Sequence, residues 1–266
     1  MKSFMIIGQF VPGNSLIHRL DPRTKLLIIF TFVIIVFFAN NSFSYGWLTL
    51  FALILVFLTK LPIAYVIKGI TPVWFLIIFT FILHLIITKD GAVLIEIGAF
   101  KIYEGGVVQG FIISLRFFLL IMVTSLLTLT TAPMEITDAI EELLAPLKKI
   151  RVPVHELALM MSISLRFIPT LLDETEKISK AQASRGVDLR TGSFKDRIYA
   201  IVPLLVPLFI SAFKRAEELA MAMEARGYHG SEGRTKLRQL QFSRIDYTSM
   251  VVYLIIMVIF FSIRAY

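Results

Sequence analysis

Long runs of apolar residues limit the folds open to this chain more than any other feature of its sequence. A helix needs about 20 apolar residues to cross the hydrocarbon core of a bilayer, at a rise of about 1.5 Å per residue. Five runs reach or approach that length: 26–39, 45–59, 63–88, 107–130 and 247–263. The expected fold class is therefore an all-α polytopic membrane protein with about five transmembrane helices, plus long cytoplasmic helices between the last two.

Composition agrees with a membrane protein and excludes several other classes. Hydrophobic residues make up 57% of the chain, whereas a soluble domain is about 45–50% apolar. There is no cysteine, so disulfides, thiol catalysis and cysteine-based metal sites are excluded. The formal charge of +8 indicates orientation in a membrane rather than nucleic-acid binding, and no nucleic-acid partner is expected.

Lysine and arginine in short loops predict the orientation, because they are enriched on the cytoplasmic side of a membrane. Four of them precede the first run, the loop 40–44 has none, and the loop 89–106 is more acidic than basic. We predict a membrane region, 1–130, with four transmembrane helices and a cytoplasmic N-terminus. A cytoplasmic segment, 131–246, follows it. A final transmembrane helix, 247–266, gives an extracellular C-terminus, and a seven-span arrangement is the alternative.

The segment 131–246 is expected to be helical rather than a linker. Pro133 suits the first turn of a helix that runs to about residue 150. Two longer helices are expected at about 154–184 and 194–226, with kinks at their internal prolines. Each is apolar in its first half and charged later. Both are therefore expected to start at the membrane interface and project into the cytosol.

A short repeat, A-x-x-x-R-G, ends both of these helices, at 181–186 and 222–227. One copy has a plain explanation, because glycine ends a helix in the left-handed conformation and an arginine in the last turn complements the helix dipole. Two copies favour a second role, in which Arg185 and Arg226 present planar guanidinium groups to a carboxylate or backbone acceptor on a partner. Both readings stay open, and docking is preferred.

A row of small residues marks the second long helix. Small side chains at four-residue spacing let another helix approach closely, but alanine is also simply a good helix former. The row consists of Ala212, Ala216 and Ala220.

One charge lies inside a transmembrane run. Arg116 is about ten residues into the fourth run, where an ionised side chain costs at least ~2.5 kcal/mol and must face protein or water. It either contacts a partner or substrate path, or forms a structural pair with Glu96 or Glu104.

Signatures of an enzyme are missing from the sequence. There is no G-x-x-x-x-G-K-[ST] loop to hold ATP phosphates, and no paired histidines at zinc-binding spacing. The predicted spans contain His84 but no aspartate, so an intramembrane protease is disfavoured. We predict a chain that is not an enzyme and holds no cofactor or metal of its own.

Several stretches together resemble a known family. The opening HRLDPRTKL at 18–26 resembles the start of the transmembrane T component of energy-coupling factor (ECF) vitamin transporters. So do LRFIP at 165–169, the two Arg-Gly helix ends, and AEELAMAMEARGY at 216–228. The resemblance covers nearly the whole chain in order.

This resemblance implies a coupling subunit of an ATP-driven importer for vitamins or other micronutrients. The implied partners are two ABC-type ATPase subunits, which bind the ATP, a membrane-embedded substrate-binding S component, and the lipid bilayer. By the same resemblance the ATPase-coupling residues are Ala183, Ser184, Arg185, Gly186, Ala225, Arg226 and Gly227. Family members often have alanine where this chain has Ser184. An autonomous transporter or channel is the alternative.

Overall fold

The structure, a computed structural model, describes residues 10–97, 100–186, 194–230 and 239–265, which are mostly helical. Contacts divide the chain into two compact units, 1–139 with 240–266, and 140–239. The elements in chain order are α1 (Leu16–Arg19), α2 (Pro22–Phe38), α3 (Ser42–Thr59), α4 (Ile63–Ile70), α5 (Trp74–Ile87), β1 (Val93–Ile97), β2 (Phe100–Tyr103), α6 (Glu104–Thr130), α7 (Pro133–Leu143), α8 (Val154–Ser184), α9 (Phe194–Ala225) and α10 (Arg244–Ala265).

Helix α6 is the centre of the first unit, where it packs against α2, α3, α4 and α5. Leu119 and Val123 of α6 are fully buried, as are Phe32 and Val36 of α2. Phe260 of α10 closes the same apolar cluster. The long hydrophobic run of α6 therefore serves both as a membrane-crossing segment and as the core to which the other helices pack.

Two glycines let α5 and α6 approach closely. A Cβ on Gly106 would lie 3.0 Å from the His84 carbonyl oxygen, and one on Gly110 would lie 3.2 Å from the Phe81 ring. Close backbone approach of this kind is typical of helix pairs in membranes. A side chain at either position would require its neighbours on α5 to shift by a few tenths of an ångström.

Polar side chains join the ends of α2, α6 and α10. Asp21 caps α2 by accepting from the Arg23 N–H, and its own N–H donates to Asp246 Oδ1 at 2.7 Å. Lys25, which is 3% exposed, donates from Nζ to the Thr130 carbonyl oxygen at 3.0 Å. An ammonium at the C-terminal end of α6 is favourable to its dipole. Residues 21, 22, 24 and 25 of the HRLDPRTKL stretch are therefore buried where three helices meet.

Helices of transmembrane length confirm an all-α polytopic membrane protein. Within the described ranges, α3, α6, α8 and α10 are long and apolar enough to cross a membrane, and α4 with α5 makes a fifth if this bent pair is one span. The predicted first span lies in α2, whose 17 residues cover about 25 Å, somewhat less than a bilayer core. Helix α8, predicted to be cytoplasmic, has the length of a span, but its second half is charged.

The predicted third span, 63–88, is not one straight helix. A 3-10 turn, Thr71–Val73, separates α4 from α5, and the two helices are bent by 56°. Proline has no N–H and restricts the residue before it, so Pro72 interrupts the helical hydrogen bonds at this point.

The predicted loop 89–106 contains a β-hairpin that the sequence analysis missed. Strands β1 and β2 pair antiparallel, with Glu96 opposite Lys101 and a bulge between Val93 and Ile95. Lys101 forms an ion pair with Glu96 across the strands. The alternation of β-branched residues in 93–97 was the available signal.

The three helices predicted between 131 and 246 follow their expected bounds to different degrees. Helices α8 and α9 match the expected ranges within one residue and continue through Pro169, Pro203 and Pro207. Helix α7 ends at Leu143 rather than near 150, and a 3-10 turn, Ala145–Ile150, follows it. Pro146 lacks the N–H that an α-helix would need there, which explains the early end.

Candidate functional site

Helices α8 and α9 form an antiparallel pair. The Arg215 Nη2 donates to Glu174 Oε2 at 2.7 Å, and the Gln182 Nε2 donates to the Pro203 carbonyl oxygen at 3.2 Å. Residues later in α8 therefore contact residues earlier in α9. The C-terminal ends of the two helices thus point in opposite directions. That each helix starts at the membrane interface and projects into the cytosol stays a prediction.

The Gln182 contact satisfies a carbonyl that the helix itself cannot pair. In an α-helix the Pro203 carbonyl would accept from the N–H of the residue four positions later. That residue is Pro207, which has no N–H. Gln182 supplies the missing donor from α8. Sequence reasoning missed this residue, although it lies within the first A-x-x-x-R-G repeat.

Helix α8 ends at the first Arg-Gly pair. The N–H of Arg185 donates to the Gln182 carbonyl oxygen and that of Gly186 to the Ala183 carbonyl oxygen, both at 3.0 Å. Gly186 has a φ of +86°, which other residues rarely adopt. The Ser184 hydroxyl donates back to the Lys180 carbonyl oxygen at 3.1 Å. The backbone thus turns away from the helix directly after Arg185.

Helix α9 ends in the same way at the second pair. The N–H of Gly227 donates to the Glu224 carbonyl oxygen at 2.9 Å, and that of Tyr228 donates to the Met223 carbonyl oxygen at 3.0 Å. With a φ of +72° at Gly227, this is a Schellman ending. At both copies of the repeat, the glycine therefore ends the helix in the left-handed conformation, as expected.

Both guanidinium groups are left available. Arg185 and Arg226 are exposed, as are the small residues Ala183, Ser184 and Ala225 beside them. Among the described residues, neither arginine side chain has a hydrogen bond, an ion pair or a ring contact. The backbone of each helix end is satisfied by the glycine turn rather than by the arginine, so all the donors of each guanidinium can bind a partner.

The two tips lie at opposite ends of the pair. Arg185 is three residues beyond Gln182, which contacts Pro203, and Arg226 is 23 residues beyond Pro203. A helix of that length covers about 35 Å. Two arginines this far apart, on one pair of helices, suit two separate binding partners rather than one shared site.

The row of small residues faces α8. Ala212, Ala216 and Ala220 line a groove of about 300 Å³ together with Ile163, Phe167 and Leu171 of α8. Ala216 and Ala220 remain exposed, so α8 does not fill the space along the row. The groove has room for an apolar side chain from another subunit, and close packing by that subunit stays a prediction.

Arg116 contacts a tyrosine rather than either of the two expected carboxylates. Its Nη2 donates to the Tyr45 hydroxyl at 2.6 Å, and its Cζ lies 5.5 Å from the centroid of the Phe37 ring. Glu96 pairs with Lys101 instead. Across the described part of the chain, no carboxylate is paired with Arg116, so the pairing with Glu96 or Glu104 is wrong. Aromatic and phenolic contacts stabilise this half-buried charge.

A second unpredicted polar contact joins α7 to α8. His155 Nδ1 lies 3.0 Å from Glu141 Oε1, and both side chains are about nine-tenths buried. The contact spans the 3-10 turn, so it fixes the start of α8 against the end of α7. The sequence shows a glutamate and a histidine 14 positions apart but does not indicate that they are in contact.

Comparisons with known proteins identify the family. Residues 13–237 match the family model described as Cobalt transport protein (CbiQ). Three relatives are each named energy-coupling factor transporter transmembrane protein EcfT. The one from Bacillus subtilis is 59% identical over 266 residues, covering 100% of both chains. The one from Listeria innocua is 50% identical over 265 residues, again covering 100% of both. The one from Staphylococcus aureus is 46% identical over 264 residues, covering 99% of this chain and 98% of the relative.

These matches extend over the same stretches that carry the sequence resemblance, including both Arg-Gly helix ends. They also agree with a chain of several apolar helices. The family predicted from the sequence is thereby confirmed, and with it a place in a transporter that has other subunits. The chain belongs to the EcfT-type transmembrane components of energy-coupling factor transporters.

Proposed function

We propose that this chain is the non-catalytic coupling subunit of its transporter. Arg185 and Arg226 dock on two ABC-type ATPase subunits, and the α8–α9 pair passes their movement to a membrane-embedded substrate-binding S component. ATP binds to the ATPase subunits, so this chain needs no cofactor. The transported substrates are vitamins or other micronutrients, a class that rests on the resemblance of the sequence motifs.

One observation carries the proposal: each end of a single antiparallel helix pair presents an exposed arginine beside a left-handed glycine. Neither arginine side chain has a partner among the residues that the structure describes. A guanidinium binds carboxylates and carbonyls in a fixed planar geometry. Small neighbours on the N-terminal side, Ser184 and Ala225, leave each arginine free to enter a groove. Because the two ends are alike, they suit two ATPase subunits of similar structure.

Exposed apolar residues support contact with a membrane-embedded partner. Phe209, Ile210 and Phe213 of α9 are 57%, 64% and 73% exposed. A large exposed apolar patch marks a surface that a protein or lipid covers. In the proposed complex, the S component meets α9 here, so that a movement of the helix pair reaches the substrate-binding subunit directly.

The proposed topology follows from where ATP is available. ATPase subunits work in the cytoplasm, so both tips and the segment 131–246 lie there. The charge pattern of the loops then gives a multi-pass cell-membrane protein with a cytoplasmic N-terminus and an extracellular C-terminus.

The test is co-purification of both ATPase subunits with Arg185→Ala, Arg226→Ala and the double variant. Losing a hydrogen bond to a charged group costs about 1.5–3 kcal/mol, which weakens an interface more than tenfold. Each single variant should insert normally and retain less ATPase, the double variant least, and lysine should rescue only partly. The matched control is Lys177→Ala, which removes an exposed cation of α8 away from the tip.

Full ATPase recovery and normal uptake by the double variant would show that these arginines do not couple. A purified chain that moved solute into liposomes without any ATPase would instead support an autonomous transporter or channel.

A further inference from the structure

The segment 144–153 combines positive charge with exposed apolar side chains. It contains the 3-10 turn Ala145–Ile150, and Arg151 then reverses the chain in the left-handed conformation, with a φ of +64°. Lys148, Lys149 and Arg151 give it three positive charges, and it has no acidic residue. The 131–246 segment as a whole is nearly balanced, with 17 basic and 15 acidic residues, so this turn is a local concentration of charge.

All three cations are exposed, and within the described residues their side chains have no hydrogen-bond or ion-pair partner. Large apolar side chains are exposed beside them, with Ile150 at 69% and Leu144 at 40%. In a turn that contacts only water, exposing an isoleucine between two lysines and an arginine stabilises nothing. Mixed basic and apolar exposure is typical of segments that lie in the interface of a bilayer.

We propose that the segment 144–153 binds an anionic lipid surface. Lys148, Lys149 and Arg151 contact the headgroup phosphates, and Ile150 enters the boundary between headgroups and acyl chains. Only 13 residues, 131–143, separate the segment from the end of the transmembrane helix α6 at Thr130, so the bilayer surface lies within reach of the chain. This inference does not depend on the ATPase contacts proposed above.

Lipid explains the segment better than an acidic protein surface does. An acidic partner would pair with the cations but would leave Ile150 and Leu144 exposed to water at its polar face. A bilayer interface accepts both groups at once, because long basic side chains reach the phosphates while short apolar ones stay deeper. A bilayer interface is also present beside any chain that spans the membrane.

The experiment uses the full chain, which has no cysteine of its own. An environment-sensitive fluorophore is attached at Ile150→Cys and the protein is reconstituted in two kinds of vesicle. One kind is phosphatidylcholine alone, and the other has equal parts of phosphatidylcholine and phosphatidylglycerol. Quenchers on the lipid acyl chains report insertion. The matched control carries the label at Lys177→Cys, an exposed position in the charged half of α8.

The label at 150 should be blue-shifted and quenched by lipid in the anionic vesicles, while the label at 177 should not. Each of Lys148→Gln, Lys149→Gln and Arg151→Gln should lower the ratio of inserted to uninserted segment about fivefold, and added salt should lower it too. Equal, unquenched emission in both kinds of vesicle would overturn the proposal. Shielding of the label only after the ATPase subunits are added would also overturn it, and would assign the segment to a protein contact.

Discussion

At the scale of single residues, the two glycines decide how the arginines are presented. A Cβ built on Gly186 or Gly227 has nothing within 4 Å, so neither glycine is there to make room. What each supplies is a positive φ, which ends its helix at the arginine and leaves the guanidinium beyond the last turn. In the proposed docking, the arginine provides the contact and the glycine sets its position.

Replacing either glycine with alanine should therefore damage docking without creating a clash. A Cβ in the left-handed region costs about 1–2 kcal/mol, so the helix end should rearrange and ATPase co-purification should fall several-fold although the arginine remains. Asparagine, which tolerates this conformation, should be the better replacement. The control is Gly46→Ala in α3, which has open space and no positive φ. Normal ATPase recovery by both tip variants would show that the left-handed turn is dispensable.

At the scale of elements, the α8–α9 pair is held together by few polar contacts in a largely apolar interface. Gln182 and the Glu174–Arg215 ion pair are the polar side-chain contacts between the described parts of the two helices. Gln182 is notable because it lies three residues before Arg185 and holds α9 at a carbonyl left unpaired by Pro207. It therefore links the position of the first tip to α9.

Gln182→Leu should lower the stability of this pair by about 1 kcal/mol, or about 2–4 °C in the melting temperature of the purified chain. Pro207→Ala gives α9 an N–H for the Pro203 carbonyl, so Gln182→Leu should cost clearly less in that background. The double-mutant cycle isolates this one interaction. An equal cost in both backgrounds would show that Gln182 stabilises the pair by some other contact.

Most of the helices could be predicted from the sequence, because apolar runs with proline and glycine at their ends are local signals. Thus α8 and α9 were placed within a residue, and both Arg-Gly ends were identified. Local signals do not show which helices meet. The antiparallel pairing depends on Gln182 and Pro203, and the burial of Lys25 depends on Thr130, 105 residues away. The bend at Thr71–Val73 was missed because its apolar run was assigned to one span. The hairpin β1–β2 was missed because its charged segment was assigned to a loop.

At the scale of the whole molecule, the length and charge of each helix bear on which ones cross the membrane. Helix α8 has the length of a span but carries charges along its second half, and α2 is short but belongs to the buried core of the first unit. In the proposed topology, the loop charges place 131–246 in the cytoplasm, so α8 does not cross the membrane and α2 does. The proposed function requires the same placement.

Reporter tags test that topology directly. Tags after Asn40 and after Tyr266 should be extracellular, and tags near residues 190 and 232 should be cytoplasmic, because the basic loops stay inside. Accessibility is measured on intact cells and again after permeabilisation. A tag near 190 that is reached from outside intact cells would make α8 a transmembrane helix and would remove Arg185 from the ATPases.

The most direct measurement of the central claim is site-specific cross-linking in the assembled transporter. Because the chain has no cysteine, Ser184→Cys and Ala225→Cys each provide one reactive group beside an arginine tip, and Lys177→Cys is the control. The account predicts that positions 184 and 225 each cross-link to an ATPase subunit, that the two positions capture different subunits, and that position 177 captures neither. Failure of both tip positions to cross-link to an ATPase, or equal cross-linking at 177, would contradict it.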